Sequence, residues 1–142
     1  MLGIGLGMYA SSGVEEAEAH TCSALDKRFI QTAGTNMTAF TLWSDGYRTG
    51  DLGAEEVAKE ADDAARRVEF VKPHDPSLKL SQRLIDGMFR EYGQAVSLAA
   101  KERERAGLHM HRAYGLADFA REVLLKAQPE LSKRGCDVAP LL

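Results

Sequence analysis

Residues 22–44, CSALDKRFIQTAGTNMTAFTLWS, carry the reading that decides the fold. Apolar side chains recur at Leu25, Phe29, Ala33, Met37, Phe40 and Trp43, in steps of four and three that gather them on one face of a helix. Thr and Gly at positions 32, 34, 35 and 38 lower the intrinsic helix propensity, so this helix depends on packing its stripe against partners. The run SDGYRTGDLG at 44–53, dense in Gly and Asp, is expected to end it.

Three more periodic segments follow. Residues 54–71 are rich in Ala and Glu and place Val57, Ala61, Ala64, Val68 and Val71 on one face, and KPHDP at 72–76 then breaks the chain. Ser77 is the expected start of a third helix with the stripe Leu80, Leu84, Met88, Tyr92, Ala95 and Ala99, widened by Ile85, Phe89 and Val96. KERERAG at 101–107 reads as a charged turn ending in a C′ glycine. A fourth helix is expected from Leu108 or His109 through Gln128, with Ala113, Leu116, Ala120, Val123, Leu124 and Ala127 inward and Pro129 at its exit. A single helix over 78–128 would be about 75 Å long, too long for one compact domain, which is why a turn is placed there. The expectation is an all-α, antiparallel up-down-up-down four-helix bundle over residues 20–142.

That topology puts the start of the first helix and the end of the fourth at the same end, where Cys22 and Cys136 lie. A disulfide needs Cα atoms within about 7 Å. The bundle, derived without the cysteines, supplies that proximity, so a Cys22–Cys136 bridge joining the two helix ends is expected. Such a bridge persists in an oxidising compartment.

EAEAHTC at 16–22 bears on the same question. The start of the chain, MLGIGLGMYASSG, has a short apolar run, and AEA before His20 fits the small-x-small pattern that signal peptidases accept. A positively charged region in front is missing, and VEE at 14–16 is unusual there. Residues 1–19 therefore read as a truncated export signal or anchor, an ordered first helix, or an unstructured tail. The first of these expects the natural reading frame to extend upstream. The apolar run is shorter than the roughly 20 residues that span a bilayer, so any membrane attachment is expected only through this segment.

Composition is that of a packed globular protein, with 44% hydrophobic and 27% charged residues. The formal charge of −3 argues against nucleic acid, because a phosphate-binding surface needs clustered excess Lys and Arg. Glu15, Glu16 and Glu18 carry that surplus of acid, leaving the remainder formally neutral and with little long-range field to steer a charged partner.

Two stretches offer metal-binding groups. DGYRTGDLGAEE at 45–56 resembles a twelve-residue calcium loop at Asp45, Gly50, Leu52 and Glu56, with Asp51 as a further carboxylate. Tyr47 and Thr49 stand where oxygen ligands belong and Arg48 brings a positive charge, so a connector is the expected reading. LHMHRAY at 108–114 offers His109, Met110 and His111. His109 and His111 project about 200° apart on a regular helix and cannot share an ion, so a metal or haem site would be built on His109 with ligands from other helices. The plainer expectation puts His109 at the core edge and His111 in solvent. NMT at 36–38 fits a glycosylation sequon, yet Asn36 falls in mid-helix. Phe29, Phe40, Trp43, Phe89, Tyr92 and Phe119 mostly fall on inward stripes, whereas Tyr47 and Tyr114 are the aromatic candidates for a partner surface.

No Glu-x-x-His pair, GxSxG, P-loop or HExxH occurs in the chain. The expected function is that of an exported, non-enzymatic bundle that acts by binding or scaffolding at the cell envelope, outside the cytoplasm and without a cofactor, its partner a protein or small ligand. A metal- or haem-binding bundle centred on His109 is the alternative, and an enzyme the third.

Overall fold

The computed structural model describes residues 21–142. The readings of residues 1–19 as signal, anchor, helix or tail lie outside the described residues. Four helices make up the fold, with no strand among the described residues: α1 (Ala24–Thr49), α2 (Ala54–Phe70), α3 (Pro76–Leu98) and α4 (Arg103–Lys133), followed by a 3-10 turn at Ala139–Leu141. They pack up-down-up-down, and Cys22 and Cys136 are joined with their Cα atoms 5.2 Å apart.

The periodic stripes form one core. Phe29, Ala33 and Trp43 of α1 meet Val57, Ala61, Ala64 and Val68 of α2, Ile85, Met88, Phe89 and Tyr92 of α3, and Ala113, Ala120 and Leu124 of α4. Phe40, Trp43, Phe89 and Tyr92 cluster in largely edge-to-face contacts, with Phe40 4.9 Å from Tyr92 and 5.5 Å from Phe89 between ring centroids. Three expected inward residues face out: Leu25 and Phe119 are exposed, and so is Ala99, just beyond the end of α3.

Four helix boundaries differ from expectation. Helix α1 runs to Thr49, not to 44, and stops at Gly50, whose φ of 86° is the left-handed conformation that glycine takes without strain. Helix α3 starts at Pro76 under an Asp75 cap, not at Ser77, because proline is tolerated where a helix has no intrahelical use for its N–H. The turn between α3 and α4 lies at 99–102, so Gly107 is helical and exposed. Pro129 lies inside α4 on its exposed side, where water can serve the Leu125 carbonyl that loses its intrahelical donor. The stop signal for α4 is Gly135, again at φ 86°, with the Gly135 N–H bonded to the Ser132 carbonyl and the Cys136 N–H to that of Leu131.

Helix α4 packs mainly on α3, and α3 on α2, while α1 rests on α2 and on the C-terminal 3-10 turn. Helices α1 and α4, neighbours in an ideal bundle, barely touch along their lengths. Gly34 lets the C-terminal segment lie on α1, since a Cβ there would come within 2.8 Å of the Pro140 Cβ. The α1–α4 seam is thus closed at one end by the disulfide and the C-terminal turn, and stays open at the other.

Candidate functional site

The open end of that seam is a cleft of about 340 Å³. Helix α1 contributes Phe40, Ser44, Asp45, Tyr47 and Arg48, α3 contributes Tyr92, and α4 contributes Met110 and Tyr114. These residues meet because α1 continues past the expected end at Ser44 through Thr49, and its last turns face the first half of α4.

Tyr92 forms the floor. Its ring is buried, with the residue only 6% exposed, and stands at 82° to Phe40. No described residue hydrogen-bonds its hydroxyl, and among the described residues no fully buried side-chain N or O lacks a partner, so the hydroxyl reaches the cleft. Burial first, and then the neighbouring Tyr114, Tyr47 and Asp45, push the phenol up to about 12. Tyr92 is therefore a neutral hydroxyl at physiological pH. Because its folded value lies above the ordinary value of 10.0, the folded state holds a proton that the unfolded state releases, and the associated stability is present below pH 10 and lost toward pH 12. An ultraviolet titration should show one phenol ionising near 12, about two units above the ordinary value of 10.0, with unfolding midpoints falling over the same interval. A Tyr92→Phe variant should lose that late step.

At the rim, Asp45 pairs with Arg48 at 3.2 Å, both exposed. Tyr47 is half-buried on the last turn of α1, not in a loop, and Tyr114 is 63% exposed on α4. The structure thus brings the two aromatic partner-surface candidates into one cleft. Sequence reading assigned Tyr92 and Phe40 to the core and Arg48 to the turn, missing that all three also line this space. The signal in the sequence was four aromatic residues falling toward the same end of an up-down-up-down bundle.

The calcium-loop candidates are divided. Asp45 and Thr49 are helical, Asp51 accepts a hydrogen bond from the Thr49 hydroxyl at 2.9 Å, and Glu56 lies in the first turn of α2. A loop wrapping one ion from Asp45 onward is incompatible with a helix running through Thr49.

His109 is largely buried at the α3–α4 interface and pairs with Glu91, a residue sequence reading did not connect to it. Met110 packs against the core and borders the cleft, while His111 is exposed. Among the described residues, no hydroxyl or thiol hydrogen-bonds His109, and no cluster of three His, Cys, Asp or Glu ligands includes it. Cys22, Asp26 and Cys136 do converge within 4.8 Å, but the two sulfurs are committed to the disulfide and are not thiolates. Asn36 is buried and spent on Thr32 and Arg67, closed to glycosylation in the folded chain.

A second concavity, an open groove of about 710 Å³, runs along the outer face of α1 beside Pro140, with Ile30, Gly34, Ala39 and Leu42 among its lining. No described helix is long and apolar enough to cross a membrane. Fold and cavities together define an all-α, disulfide-closed four-helix bundle with an aromatic cleft at its open seam. No family model matches the chain, and no curated protein or solved structure gives a significant match.

Proposed function

We propose that this chain is a non-enzymatic binding module that works outside the cytoplasm, at the cell envelope, and takes its ligand at the open end of the α1–α4 seam. The observation that carries the reading is the Cys22–Cys136 disulfide, which spans 114 residues and joins two helices that otherwise barely touch. A frame closed in this way is maintained in an oxidising compartment. It also lets the far end of the seam stay open without the bundle coming apart. The cleft lining supports binding over catalysis, since it offers aromatic walls and one carboxylate and has no nucleophile held by a base. The His109–Glu91 pair supplies two groups and no third, which leaves the metal-binding alternative without a specific support.

In the cells that make it, the chain should fractionate outside the cytoplasm and resist maleimide labelling until reduced. Labelling of both cysteines in freshly acid-quenched cells would overturn the compartment reading.

A further inference from the structure

We infer that the cleft of Phe40, Tyr47, Tyr92, Tyr114 and Asp45 binds a small organic cation of the alkylammonium class. The inference rests on the reading of the chain as a binding module and names its ligand. An alkylated ammonium ion cannot satisfy many hydrogen bonds, so a site for it uses aromatic rings, with a carboxylate for charge. The cleft has both. Phe40 and Tyr92, in edge-to-face contact at 82° with centroids 4.9 Å apart, form one aromatic side of the cleft, and Tyr47 from α1 and Tyr114 from α4 line it as well. The volume of about 340 Å³ is at the small end of ligand pockets and suits a ligand of choline size.

The polar groups agree with a cation. The Tyr92 hydroxyl has no partner among the described residues and can accept or orient, and the hydroxyl of Ser44 donates to the Thr41 carbonyl, which leaves its lone pairs free. Arg48 is the competing cation. Its side chain is 77% exposed and its one partner among the described residues is Asp45, so an ammonium ligand can replace it at that carboxylate while Arg48 turns into solvent.

The test is calorimetric titration of the oxidised full chain with choline chloride and with 3,3-dimethylbutan-1-ol, in which carbon replaces the charged nitrogen. Choline should bind about tenfold more tightly than the neutral isostere. Tyr114→Ala, at an exposed position that leaves the fold intact, should weaken choline at least about fivefold, and Asp45→Asn should reduce the preference for the charged ligand. Unchanged melting temperatures would certify both variants as folded. Equal affinity for the two ligands, or no choline binding at tens of millimolar, would overturn the inference. The compartment reading is judged separately by fractionation and labelling.

Discussion

Replacing Cys22 and Cys136 together by serine should lower the melting temperature by about 10 to 20 °C. The bridge closes a loop over a sequence separation of 114 residues, and a constraint of that length removes about 4 to 5 kcal/mol worth of unfolded-chain entropy in the loop-closure model. In many bundles the lost cross-link would be cushioned by packing between the first and last helices. Here α1 and α4 barely touch, and the end held by the bridge is joined otherwise by the Cys22 N–H to the Arg134 carbonyl and by the C-terminal turn on α1. Circular dichroism melts of the oxidised chain, the reduced chain and the double variant check the expectation. Near-identical melting points would show that the seam is held by contacts other than the disulfide.

Asp75→Ala should cost about 3 to 4 kcal/mol in urea unfolding, far more than an ordinary surface change. One carboxylate oxygen accepts the Ser77 and Leu78 N–H groups at the start of α3, and the other accepts Arg134 at 2.7 Å from the end of α4. The Asp75 side chain is 3% exposed, so its loss leaves two helix N–H groups uncapped in a dry setting and strips Arg134 of its partner. Arg134 is 29% exposed and can recover some hydration, which keeps the expected loss toward the lower end. Asp75→Asn retains an acceptor for the cap and surrenders only the charge pair, so about 1 to 2 kcal/mol is expected. A similar cost for Ala and Asn would mean the ion pair, not the cap, dominates.

Asp75 also shows where sequence reading ran short. KPHDP was legible as a break, but Asp75 as a cap was passed over for Ser77, and nothing local announces that Arg134 lies 59 residues away in contact with it. Asp26, in the first turn of α1, carries no signal in the sequence reading, and its carboxylate accepts the N–H groups of His74 and Asp75. Gln82, absent from the expected stripe, is buried, and its amide N–H groups donate to the Val68 and Val71 carbonyls at the end of α2. Side chains of this kind are chosen by partners that only folding brings near.

The helix ends failed for a different reason. Gly46, Gly107 and Pro129 were read as punctuation, yet all three are helical, while Gly50 and Gly135 terminate their helices at positive φ. A glycine or proline weakens a helix by an amount that packing along a long stripe can offset. The turn at 99–102 contains neither residue, so the expected turn at 101–107 overlaps it only at Lys101 and Glu102 and is drawn too far toward Gly107.

By itself the sequence determined four amphipathic helices, their order and the pairing of Cys22 with Cys136, because period and topology follow from where apolar side chains recur. Tertiary structure alone decided that α1 and α4 part at one end, and so that Phe40, Tyr47, Tyr92 and Tyr114 surround a space in place of filling it. Periodicity specifies which face of a helix is apolar, and the distance between two such faces is set by the side chains and segments wedged between every other pair.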